Sequence, residues 1–204
     1  MSIRNSLSVA AVAVMLTQAS SAAMVTFTNS TLWTYYATLS GSSTLTENFN
    51  SFSGSYPAGV TGTVGGIQWQ ANAAGGVVAG SGYLATQVSN TVLTFSMAPS
   101  VQGVAGNFFA SDGDPNYNAV PAIISVTLSD GSSYIGFTTS AADFVGFYST
   151  GAAISSVAIS VAGSAPTGAY YATADNLYFA VVPAPGAVAL LAVAGIFGGR
   201  SRRR

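Results

Sequence analysis

The residues able to do chemistry in this chain are few, and their distribution already narrows the function. The chain has no histidine and no cysteine, and its few basic residues are Arg4, Arg200, Arg202, Arg203 and Arg204. Between Arg4 and Arg200 there are six carboxylates, Glu47, Asp112, Asp114, Asp130, Asp143 and Asp175, and no cation at all. A Ser-His-Asp triad, a thiol nucleophile and a histidine-ligated zinc are therefore excluded. Acids alone leave two options: a carboxylate pair of the glycosidase kind, or a hard cation held by oxygen ligands. No two of these acids stand at a spacing that marks a glycosidase pair, so a non-enzymatic body is expected, with polysaccharide hydrolysis as a remote alternative.

Two places suit calcium, which is the only cofactor the residues suggest. "SDGDPNYN" sets Asp112, Asp114, Asn116 and Asn118 at alternate positions, so that side-chain oxygens can wrap a cation. It is not an EF-hand, because Tyr117 and Ile123 stand where that loop needs Gly and Glu. The same residues also describe an ordinary hairpin turn. The second place is Glu47 with Asp175, from "TENFNSF" and "TADNLYF", if these segments are neighbouring strands. An acid inside a strand pattern is costly when buried without a cation or donors, whereas two exposed edge carboxylates need neither. Glycan binding would use aromatic platforms, for which Trp33, Tyr35, Tyr36, Trp69, Tyr83, Tyr117, Tyr170 and Tyr171 are available.

The elements that position these residues read as strands. "TVLTFSM" puts Leu93, Phe95 and Met97 on one side, and "AIISVTL" does the same with Ile124, Val126 and Leu128. "SSVAISV" aligns Val157, Ile159 and Val161, and "DNLYFAV" aligns Leu177, Phe179 and Val181. Alternation at period two marks strands with one buried face. Turn-forming segments such as "SDGS", "AGSAPTG" and "AAGG" separate them. If "LWTYYATL" is a strand, one of its adjacent aromatics must face away from the core, and no stretch of the body shows convincing helical periodicity. The predicted body is one all-β domain over 24–181, an antiparallel β-sandwich with jelly-roll topology preferred.

Both ends differ from the body. Arg4, an apolar run over Leu7–Leu16 and "SSAA" describe a signal peptide over 1–23, with signal peptidase cutting after Ala22 or Ala23. At the other end, Pro183 and Pro185 precede an apolar stretch, Gly186–Gly199, and then the arginine cluster. By the positive-inside rule those arginines stay cytoplasmic, which puts the body outside. An all-acidic body also excludes nucleic acid as a partner.

The segment "VPAPGAVALLAVAGIFGGRSRRR", residues 182–204, resembles a PEP-CTERM sorting signal: a short motif, a transmembrane stretch and a basic end in that order. The motif is carried by Val182, Pro183, Ala184 and Pro185, with Ala184 where the family usually has Glu, and the basic end by Arg200, Arg202, Arg203 and Arg204. The resemblance implies an exosortase-like membrane enzyme as partner and a place in the cell envelope or exopolysaccharide matrix. The body is more distantly similar to carbohydrate-binding jelly rolls. The expectation is an exported envelope or matrix protein, with a calcium-dependent glycan-binding module as the alternative.

Overall fold

The computed structural model of the chain describes residues 23–112, 120–162 and 168–182. The signal peptide apart from Ala23, Asp114 and all of the sorting segment apart from Val182 lie outside the described residues. In chain order the elements begin β1 (Met24–Phe27), α1 (Ser30–Leu39), β2 (Ser43–Glu47), β3 (Gly54–Tyr56), β4 (Val60–Val64) and β5 (Ile67–Asn72). They continue through β6 (Val77–Gly80), β7 (Tyr83–Thr86), β8 (Leu93–Met97), β9 (Val101–Ser111) and β10 (Ala122–Leu128). The last are β11 (Ser133–Thr138), β12 (Val145–Ser149), β13 (Ile154–Val161) and β14 (Tyr171–Val181).

These strands form two antiparallel sheets. One has eight strands in the order β1-β12-β9-β14-β7-β6-β3, with β2 also paired to β14, and the other six in the order β11-β10-β13-β8-β5-β4. The period-two residues do what their pattern predicts: Leu93, Phe95, Ile124, Val126, Leu128, Val157 and Ile159 are buried from the six-stranded side. Val104, Phe108, Ala174, Leu177 and Phe179 meet them from the eight-stranded side in one core. The fold is thus the all-β sandwich expected from the alternation.

The segment with adjacent aromatics near the start is helix α1, which corrects the expectation of a body without helical periodicity. Asn29 caps it, its Oδ1 accepting the Leu32 N–H at 3.0 Å. At the other end Gly41 adopts a φ of 78°. Its N–H donates to Thr38, while the Ser42 N–H reaches back to the Ala37 carbonyl, which closes the last turn in a Schellman arrangement. Only Trp33 and Ala37, one turn apart, are fully buried, so the helix offers a narrow contact stripe and little periodicity to detect. A strand with the same sequence would have had to expose one residue of each aromatic pair.

Helix α1 lies on the outer face of the eight-stranded sheet. Trp33 donates its indole N–H to the Phe147 carbonyl at 3.1 Å and packs edge-on to Phe144 and Tyr178. A Cβ at Gly146 would come within 2.5 Å of the Trp33 ring, so glycine there lets the indole rest on the strand backbone. Tyr148 adds a hydroxyl contact to Ser42 at 2.8 Å.

Trp33→Ala should destabilise the domain by about 3–5 kcal/mol, since it empties a fully buried aromatic site, whereas Asn29→Ala should cost about 1 kcal/mol through the lost cap. Urea unfolding monitored by circular dichroism measures both. Near-equal effects would show that α1 is not held by Trp33.

Candidate functional site

The two sheets treat their outer faces differently. Helix α1 covers part of the eight-stranded sheet, and the strands of that sheet carry Glu47 and Asp175. The six strands of the other sheet contain no charged residue. On its outer face the register aligns Thr61 with Gln70 and Thr63 with Gln68. Gln70 in turn aligns with Ser96 on β8. All five side chains are exposed. They line an open groove of about 630 Å³, to which Ala98 and Pro99 also contribute. The groove therefore offers neutral amides and hydroxyls, each able to donate and to accept.

Trp69 lies beneath that surface in the core, against Phe49, Phe52 and Phe95. Opposite it, Gly62 has no room for a side chain, because a Cβ would fall 2.2 Å from the indole. The indole N–H of Trp69 is buried without a hydrogen-bond partner among the described residues. Both tryptophans are thus core residues, which corrects their reading as glycan platforms. Tyr36 is half-buried, its ring tilted against Phe27 and edge-on to Tyr148. Tyr35 stays exposed, beside Ser30, Thr31, Thr34 and Tyr178 in a shallower hollow of about 440 Å³. Tyr83, Tyr170 and Tyr171 are partly exposed, and Tyr117 lies outside the described residues.

Strands β2 and β14 do pair, with Glu47 opposite Leu177, but the expected Glu47–Asp175 site does not assemble. Asp175 stands opposite Asn107 and Leu177 opposite Gly106, so Asn176 is an extra residue in β14. Its left-handed φ of 55° marks the bulge. One extra residue reverses the side on which the next side chains emerge. Glu47 consequently lies on the core side with Leu177, 8% exposed, its Oε1 accepting the Phe49 N–H at 3.0 Å. Asp175 lies on the outer side, in a row with Tyr83 and Asn107. Burial pushes its carboxyl above the ordinary aspartate range, against a smaller opposing pull from the Asn176 N–H.

The other acids sit in turns. Asp143 accepts the Thr139 N–H at 2.6 Å and the Thr139 hydroxyl at 2.8 Å. It also takes the Ser140 hydroxyl at 2.9 Å and the Ser140 N–H at 3.0 Å. These donors, led by the Thr139 N–H, hold its carboxyl down at about 2. Asn107 secures the same loop by donating to the carbonyls of Ala142 and Asp143. Asp130 takes the hydroxyl and N–H of Ser132, which lower its pKa. Asp112 follows β9, partly exposed, while its expected calcium partner Asp114 is outside the described residues. Among the described residues no three acidic side chains gather.

Sequence reasoning missed the groove, because Thr61, Gln70 and Ser96 become neighbours only through strand order. The alternating "TGT" and "QWQ" were its available signals. No family model matches this chain, and no curated protein matches it.

Asp143 and Asp175 should respond to pH with opposite signs. The depressed pKa of Asp143 contributes stability above the unfolded value of about 3.9, and that stability is lost as pH falls towards about 2. The raised pKa of Asp175 penalises its ionised form, and the penalty is relieved as pH falls through the folded pKa. At neutral pH, then, Asp143→Asn should lower the melting temperature and Asp175→Asn should raise it. Both differences should shrink in acid. An Asp175→Asn variant that melts below the wild type at neutral pH would mean that this carboxylate has a favourable partner.

Proposed function

We propose that this chain is an exported envelope or extracellular-matrix protein with a non-enzymatic β-sandwich body. In this reading the segment from Val182 to Arg204 is a PEP-CTERM-type address that an exosortase-like enzyme reads. The observation that carries it is the division of charge and fold. Every cation of the chain lies outside residues 23–182, and the last described strand, β14, ends at Val181, paired to Ser43 and Val101, two residues before Pro183. Signal-peptidase cleavage after Ala22 would keep the Ala23 carbonyl that accepts the Thr150 N–H at 3.0 Å. The lack of histidine, cysteine and lysine in the body supports a reading without catalysis, because the usual general bases and nucleophile activators are missing. We read the sandwich as a jelly roll, supported by the pairing of β2 near its start with the last strand, β14.

A second reading, glycan binding in the exopolysaccharide matrix, is favoured by the groove of Thr61, Thr63, Gln68, Gln70 and Ser96. Its uncharged donors and acceptors suit a neutral polysaccharide, and the acidic body disfavours a polyanion. The calcium part of this reading rests on Asp112 and Asp114 alone, because the bulge at Asn176 parts Glu47 from Asp175.

Deleting Val182–Arg204 should move the protein from the envelope fraction to the soluble exported fraction, followed by immunoblotting of fractionated cells. Unchanged retention would sink the sorting claim. For the second reading, affinity electrophoresis through neutral polysaccharide gels should retard the wild type, and Gln68→Ala/Gln70→Ala should abolish most of the retardation. Loss of retardation in chelator would assign calcium a part in binding. Equal mobility of wild type and variant would remove the groove as a glycan site.

A further inference from the structure

Strand β11 ends the six-stranded sheet and, among the described residues, pairs only with β10. It reads "SYIGFT", with neither charge nor proline. Ile135 and Phe137 are 61% and 68% exposed, and they are the only strand residues among the exposed large apolar side chains described. Sheet edges are commonly blunted by lysine, proline, a bulge or a covering element, because their free backbone groups template further pairing. β11 has no charge or proline, and its register against β10 runs unbroken. The opposite edge of the same sheet, β4, differs, for its outward residues are Thr61 and Thr63.

The direction of the free groups follows from the hairpin. The Leu128 N–H donates to the Ser132 carbonyl at 2.9 Å, which makes that pair a hydrogen-bonded one. In an antiparallel ladder such pairs alternate with non-bonded ones. Val126–Tyr134, Ile124–Gly136 and Ala122–Thr138 are therefore the bonded pairs with β10. Ser133, Ile135 and Phe137 accordingly turn their N–H and C=O groups to the open edge.

We propose that β11 pairs antiparallel with β11 of a second copy, joining the two six-stranded sheets into one continuous sheet across a two-fold axis at Gly136. The same residues then serve both chains, as an isologous interface requires. About this axis Ile135 stands opposite Phe137 of the second copy, and Phe137 opposite its Ile135. Both are bonded-pair positions with their backbone groups free, so two narrow pairs form. Both place a β-branched side chain beside an aromatic one on the outer face, a favourable cross-strand combination. The paired positions differ by an even number, so the cores of both copies stay on the same side. A second copy is the occupant because the edge is neutral and self-complementary, and it offers no charge with which to select a different partner. This assembly is independent of the sorting and glycan readings.

The test uses the purified full-length chain. Sedimentation velocity should give twice the monomer mass, and Ile135→Lys or Phe137→Lys should return it to a monomer that keeps the wild-type circular dichroism spectrum and unfolds cooperatively, since both side chains are exposed. The chain has no cysteine, so introduced thiols report contact without background. Oxidising a mixture of separately purified Ile135→Cys and Phe137→Cys chains should crosslink one to the other more than either to itself. A wild type that stays monomeric over a wide concentration range overturns the proposal. So does a dimer that survives both lysine variants, or a mixture that yields no mixed crosslink.

Discussion

The sandwich depends on one irregular strand. β14 pairs with β9 along its whole length, and its other edge is shared, with β7 taking Thr173–Asp175 and β2 taking Leu177–Val181. The bulge at Asn176 sits where that edge changes partner. Ahead of it, Ala172 and Ala174 face the core, and beyond it Leu177 and Phe179 do. Without the extra residue the second half would turn its aromatics to the wrong side. The same bulge puts Ala180 beneath Trp33, so it also sets the bed on which α1 rests. Three strands and a helix are thus arranged by a single residue with positive φ.

With one outer face partly occupied, the molecule divides its surface. The face under α1 gathers Trp33, Tyr36, Phe144, Tyr148 and Tyr178 into a secondary apolar cluster. Among the described residues no helix covers the outer side of the six-stranded sheet, whose strands carry no charged residue. The side chains of the groove lie on β4, β5 and β8, and the sheet's exposed large apolar ones on β11. A groove for a neutral ligand and an edge for a second copy can therefore coexist on one sheet without overlapping. The turn carboxylates stay out of both, because Asp130 and Asp143 are bound to the donors of their own loops.

The strands were legible because half-burial leaves a period-two record, and Ile124, Val126 and Leu128 were assigned to the core on that ground alone. Helix α1 was not, since a helix held by Trp33 and Ala37 leaves only two apolar positions with a meaning. Its caps, Asn29 and Gly41, were the readable signals, and the aromatic pairs around Trp33 obscured them. Trp69 was misjudged for a related reason. Composition cannot distinguish a tryptophan that covers a sheet from one that fills a core.

By itself the sequence determined the class of the body, the absence of histidine and cysteine chemistry, and the contrast between an acidic centre and basic ends. These follow from residue types and short-range periodicity, which the chain carries locally. Tertiary structure alone decided which side of a sheet each acid occupies and which polar side chains share a groove. Both depend on strand order and on one bulged residue. Glu47 and Asp175 show the difference: their strands do pair, and a single residue of register puts their carboxylates on opposite faces.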